Sequence, residues 1–213
     1  MSTRSQPQRR CIECRMMKAL CICALCPRIE TRTHLLLVLH QLEEHKSSNT
    51  GQLAVRVLSN STQITRGVDI TPESALPVPE GYQPLLLFPD PDARPVSDFA
   101  ATDVPVCLVI PDGTWGQASR TRRRLSALAT LPAIALPAAE ASEYRLRSSG
   151  KLERISTLEA IARALEILEG ERGAAVRSGL ESIQRIMVER TLHLRGKLPA
   201  DQVAGGIPEG FKT

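Results

Sequence analysis

Four short apolar runs punctuate the chain, each bounded by polar or proline-containing stretches. They are HLLLVLH (His34 to His40), LLLF (Leu85 to Phe88), VPVCLVI (Val104 to Ile110) and AIAL (Ala133 to Leu136). Continuous runs of this length are the pattern of strands buried on both faces, whereas a strand with one wet face alternates. Between them the periodicity changes. After the polar segment QLEEHKSSNTGQ, the stretch LAVRVL predicts a helix begun near Thr50. STLEAIARALEILEG predicts another: Ser156 can cap the Glu159 amide while that carboxylate reaches back, and Leu158, Ile161, Leu165 and Leu168 form one apolar stripe before a stop at Gly170. A last helix is expected over Leu180 to Leu194, surface loops over 67–84 and 89–103, and a frayed end from Gly205 to Thr213. Apolar strands alternating with amphipathic helices predict an α/β fold, with a mostly parallel sheet flanked by helices.

In open sheets of this kind ligands sit beyond the carboxyl ends of the strands, where helix N-termini attract anions. Asp112 comes directly after VPVCLVI, and Asn49, Thr50 and Gly51 come at the start of a proposed helix, so both groups are expected on the same edge. The stretch PDGTWGQASRTRRRL, Pro111 to Leu125, sets the chain's single tryptophan between a lone carboxylate and four arginines. Asp112 is therefore a candidate proton acceptor, with a turn or helix cap as the alternative. Trp115 is a candidate stacking surface, with a core plug as the alternative. Thr114 is either a hydroxyl contact or the cap of the helix that begins there. Arg145 and Arg147 alternate, so on an extended segment both can face one carboxylate or phosphate.

Composition adds an arm to this picture. Five of the six cysteines fall between Cys11 and Cys26, in CIECRMMKALCICALC. No apolar run approaches the ~20 residues of a membrane span and no leader pattern opens the chain, so a cytoplasmic protein is expected, and there dense thiols argue for a metal. Four sulfurs around zinc suit C-x-x-C spacing; Cys11 with Cys14 forms one knuckle, and either Cys23 with Cys26 or the tighter Cys21 and Cys23 completes the set. Such a fully thiolate site builds structure and leaves no open coordination position. Cys107 reads as a buried core residue. The formal charge of +4 says little, but its distribution is informative. Residues 1–28 hold six basic residues against Glu13, and residues 113–139 hold four arginines and no acid. Such clusters suit a nucleic-acid backbone, and Arg15, Lys18, Arg120, Arg123 and Arg124 are the candidate contacts, with a solvated face as the plain alternative. The expected organisation is a basic tail (1–10), a cysteine-rich zinc arm (11–30), an α/β domain (31–204) and a C-terminal fringe (205–213). A monomer is expected.

D-G-T-W, Asp112 to Trp115 with Ala118 following, resembles the signature of the DTW-domain family. Further pieces agree in order: Cys11, Cys14, Cys21 and Cys23; a glutamate, read as Glu44, ahead of S-N-T-G at Ser48 to Gly51; Y-R-L-R at Tyr144 to Arg147; and T-x-E at Thr157 to Glu159. The resemblance implies tRNA-uridine aminocarboxypropyltransferase activity, with S-adenosylmethionine donating its 3-amino-3-carboxypropyl group to N3 of a tRNA uridine. It also implies a core related to the SPOUT methyltransferases, which carry a knot, and Cys11, Cys14, Cys21 and Cys23 as zinc ligands. Within it Asp112 and Trp115 are the expected catalytic residues; Asn49, Thr50, Gly51, Thr114, Arg145, Arg147 and Thr157 are the expected contacts of S-adenosylmethionine. A SPOUT-like RNA methyltransferase and a non-catalytic zinc-containing RNA-binding protein are the competing readings.

Overall fold

The computed structural model describes residues 9–137, 146 and 155–208. Six strands form one sheet: β1 (His34–His40), β2 (Ser61–Arg66), β3 (Gln83–Leu87), β4 (Arg94–Pro95), β5 (Val106–Asp112) and β6 (Ala133–Ala135). Their spatial order is β2-β1-β5-β3-β6-β4, and every pairing is parallel. All described strands therefore end at the same edge. The predicted α/β class with a parallel sheet is what the chain adopts.

The apolar runs are continuous because successive side chains enter two different cores. On one face Leu35 and Leu37 of β1 and Leu108 and Ile110 of β5 pack under α1 (Thr50–Val57), α4 (Thr157–Leu168) and α5 (Gly173–Leu194). On the other, Leu36, Val38, Cys107 and Val109 meet Leu125 and Leu128 around α2 (Trp115–Arg124) and α3 (Ser126–Ala129). Cys107 is fully buried there, as expected of a core residue. Met16, Leu20 and Ile22 of the cysteine arm belong to the first core, so the arm is packed onto the α1/α5 side. Arg190 of α5 secures it by donating to the carbonyl of Cys21 at 2.6 Å and to those of Gly205 and Gly206.

Several expectations change. β5 runs two residues beyond Ile110, because Pro111 and Asp112 stay in register with Val38 and Leu39 of β1. The apolar runs do not mark β2: five of the six residues of STQITR are polar, which suits an edge strand paired on one side only. The loop expected over 89–103 holds the two-residue β4 and a 3-10 turn at Val96–Phe99 that buries Val96 and Phe99. α5 starts at Gly173, two turns before Leu180, where Ala174, Ala175 and Arg177 are good helix formers. Gly205 and Gly206 are tied by Arg190, so the fraying expected from Gly205 does not begin there, and 209–213 lie outside the described residues. The capping box of Ser156 and Glu159 forms as read, and Gly170 takes the left-handed φ of +56° after α4. No described helix is long and apolar enough to cross a membrane.

Candidate active site

The carboxyl edge of the sheet opens into a cleft of about 640 Å³. Asp112, the last residue of β5, lies on its floor and is only 4% exposed. Two helix starts converge on this carboxylate. Asn49, the N-cap of α1, uses its Oδ1 to accept from the Gln52 amide at 2.8 Å and its Nδ2 to donate to Asp112 Oδ2 at 2.5 Å. Thr157, the first residue of α4, donates its hydroxyl to Asp112 Oδ1 at 2.5 Å. The two helices are also tied to each other, since the Leu158 amide donates to Thr50 Oγ1 at 3.3 Å. Gly51 makes the approach possible: a Cβ there would lie 3.0 Å from Cγ and Oδ2 of Asp112 and from Leu37 Cδ1.

Burial pushes the Asp112 carboxyl above the ordinary aspartate range and the Glu43 charge adds to that, against the donors from Thr157, Asn49 and the Gly113 backbone. The result is a carboxylate short of water, held in one orientation and more basic than usual. Asp112 does not cap α2. That work is done by Thr114, whose Oγ1 accepts from the Gln117 amide while Gln117 Oε1 accepts from the Thr114 amide.

Trp115 is no core plug: it is 43% exposed at the start of α2, on the wall of the cleft. Its ring meets Phe88 edge to face, with centroids 6.3 Å apart. Behind Phe88 stands Arg122, its guanidinium 5.1 Å from the ring centroid and ion-paired with Asp90. Leu87, Ile134, Leu136 and Ile155 line an apolar wall, and Lys46 and Arg195 are the basic residues on the described lining.

The expected donor contacts Asn49, Thr50, Thr114 and Thr157 all line this cleft together with Asp112 and Trp115, while Gly51 sits behind Asp112. Arg145 and Arg147 lie outside the described residues. Sequence reasoning missed Glu43, Lys46, Phe88 and Arg195. It read Glu44 as the glutamate of the S-N-T-G segment, but Glu43 lines the cleft, ending a 3-10 turn after β1 with 7% exposure. For Phe88 a signal existed: it is one of six aromatic residues and follows an apolar strand at the ligand edge. Arg195 carries no such mark, because only the fold brings the end of α5 to this edge.

On the cysteine arm, the sulfurs of Cys11, Cys14, Cys21 and Cys23 lie within 4.8 Å of one another. Cys11 to Cys23 and Cys14 to Cys21 are both 3.7 Å. A tetrahedron of thiolates ~2.3 Å from one ion has edges of about 3.8 Å, so the four fit a single closed metal site. Cys26 stands outside the group and packs against the core, where burial raises its thiol. The tighter Cys21 and Cys23 pair is therefore the second knuckle. Arg15 of the first knuckle takes a left-handed φ of +59° and is half-buried, whereas Lys18 is exposed. On α2, Arg120, Arg123 and Arg124 are exposed, while Arg122 is engaged by Asp90 and Phe88.

A DTW domain model matches residues 8–192, most of the chain. The chain belongs to the DTW domain family. Among similar proteins, tRNA-uridine aminocarboxypropyltransferase 2 of Drosophila melanogaster is 37% identical over 87 residues, 41% of this chain and 35% of that protein. The Macaca fascicularis protein of the same name is 28% identical over 167 residues, 75% of this chain and 56% of its own. The Mus musculus protein is 27% identical over the same length. This DTW chain thus spans about half the length, or less, of these relatives. No solved structure matches it. In this DTW domain the D-G-T-W stretch divides its work: Asp112 forms the cleft floor, Gly113 and Thr114 turn and cap the chain, and Trp115 forms the wall.

Proposed function

We propose that this protein is a tRNA-uridine aminocarboxypropyltransferase, moving the 3-amino-3-carboxypropyl group of S-adenosylmethionine to N3 of a tRNA uridine and releasing methylthioadenosine. One observation carries the reading: buried Asp112 and exposed Trp115 share a cleft at the carboxyl edge of a parallel sheet, in a DTW chain similar to proteins of that name. As N3 attacks the γ-carbon, the N–C bond forms and the C–S bond breaks. The bonding pair stays on sulfur, which becomes a neutral thioether, and the N3 proton passes to Asp112.

Asn49 and Thr157 hold the carboxylate for that transfer; with the Gly113 backbone they bring three donors to its four lone pairs, and one is left for the N3 proton. The faces of Trp115 and Phe88 suit uracil, at ~1–3 kcal/mol per stacked base, and the apolar wall of Leu87, Ile134 and Leu136 suits adenine. Thr50 and Thr114 line the donor's place, and Gly51 behind them lets Asp112 sit close against α1. Arg145 and Arg147 are proposed to clamp a carboxylate or phosphate. A structural zinc on Cys11, Cys14, Cys21 and Cys23 supplies no chemistry and orders the arm, so that Arg15 and Lys18 join Arg120, Arg123 and Arg124 along the tRNA backbone. The target base must be exposed or flipped to reach Asp112. The reading includes kinship with the SPOUT methyltransferases and a cytoplasmic monomer, and the all-parallel sheet supports the kinship.

A label-transfer assay tests it, with tRNA and S-adenosylmethionine labelled either in the methyl or in the carboxyl group. Carboxyl label alone should enter tRNA. Methyl label entering would make the protein a methyltransferase, and tRNA binding without either label would leave a non-catalytic RNA-binding protein.

A further inference from the structure

The donor of the proposed reaction carries three charges: a sulfonium, an α-ammonium and an α-carboxylate. The described lining of the cleft holds two carboxylates, Asp112 and Glu43, and two cations, Lys46 and Arg195. Asp112 is occupied by Asn49 and Thr157 and is the group assigned to the reacting nitrogen. Glu43 has no part in that chemistry, yet it is a buried acid on the same lining, and a buried carboxylate persists only when paired. Its partner is Lys46, whose Nζ lies 2.7 Å from Glu43 Oε1 and whose side chain is half exposed. The loop that carries the pair is fixed, because the Glu43 carbonyl accepts from the Lys46 amide at 3.1 Å and from Gln52 Nε2 at 3.2 Å.

We propose that Glu43 and Lys46 together read the amino-acid end of the donor, Glu43 taking its α-ammonium and Lys46 turning to its α-carboxylate. The inference rests on the donor reading given above. A neutral internal pair suits a zwitterion: one ion pair within the protein is exchanged for two with the ligand, and no net charge is buried. Lys46 is free to turn because its head reaches solvent, whereas Glu43 stays in place. The Glu43 charge also acts, after burial, in pushing the Asp112 carboxyl up, which puts the ammonium position and the reacting edge within electrostatic reach of each other. The pair further distinguishes donor from product. Methylthioadenosine lacks the amino-acid end, so Lys46 falls back onto Glu43 when the group has been transferred.

Direct binding of S-adenosylmethionine and of methylthioadenosine, measured by calorimetry at one ionic strength, separates the possibilities. Glu43→Gln should weaken S-adenosylmethionine at least about tenfold, the scale of one lost charge-assisted hydrogen bond, and leave methylthioadenosine within about twofold. Lys46→Met, at a half-exposed position, should show the same selective loss and carries the test if Glu43→Gln does not fold. Equal losses for both ligands, or no loss for either, overturn the inference while leaving the transferase reading intact. A wild-type protein that binds neither ligand overturns that reading, and this one with it.

Discussion

Asp112→Asn is the substitution whose outcome most directly tests the site. An amide at 112 keeps the shape and both bonds: its oxygen can still accept from Asn49 Nδ2, and its NH2 can donate to the Thr157 hydroxyl, which rotates to accept. What changes is the charge. Two charge-assisted bonds become neutral ones, a loss of about 1 kcal/mol each, offset by relief from holding an ion in a site 4% exposed. Stability at neutral pH should thus stay within about 1–2 kcal/mol of wild type, whereas removal of the general base costs about 10²–10⁴ in rate.

Asp112→Ala is a poorer test. It leaves two donors unpaired at roughly 1–3 kcal/mol each, so lost activity and lost folding arrive together. The sign with pH is also determined. The folded carboxyl titrates above its unfolded value, so its contribution to stability is present below the unfolded pKa and is lost as pH rises through the folded one. Asp112→Asn should therefore gain on wild type across that window, in thermal melts from pH 4 upward. Wild-type kcat/KM should rise over the same window as the base ionises. The assay is single-turnover transfer of carboxyl label to tRNA, beside melts followed by circular dichroism. An Asp112→Asn protein that transfers within threefold of wild type, or a folded one that melts far lower, would refute this account.

Three further outcomes follow from the geometry. Gly51→Ala should lower Tm by several degrees, because 3.0 Å contacts with Asp112 and Leu37 cost about 1–3 kcal/mol and outweigh the helix-propensity gain of alanine; it should also reduce transfer, both read on one preparation. Chelation should remove one metal per chain, counted by elemental analysis, and lower Tm, since the four-cysteine arm anchors Met16, Leu20 and Ile22 in the core. Arg123→Ala should cut the salt slope of tRNA binding by about 1, while Arg122→Ala should leave the slope and disturb Phe88, seen in titrations over a salt series.

The local rules of the chain were legible because they need no distant partner. The continuous runs at β1, β3 and β5 state that both sheet faces are covered, and Ser156 with Glu159 states where α4 begins. Asp112 and the N-T-G turn could be placed on one edge, since parallel strands must end together. The D-G-T-W spelling and the four cysteines pointed to the family and to the metal set.

What the tertiary structure alone decided is which side chains share the cleft and what each already holds. Asn49 and Thr157 lie 63 and 45 residues from Asp112 and still spend their donors on it. Four arginines near each other in sequence divide by partner: Arg122 is taken up by Asp90 and Phe88, while Arg120, Arg123 and Arg124 stay exposed. Glu43 with Lys46, Phe88 and Arg195 come from three separate places in the chain. Periodicity records which face of an element is buried, and it holds no record of which distant element arrives opposite. Hydrogen bonds and ion pairs at a sheet edge depend on that arrival to within a few tenths of an ångström, so they exist only once the chain has folded.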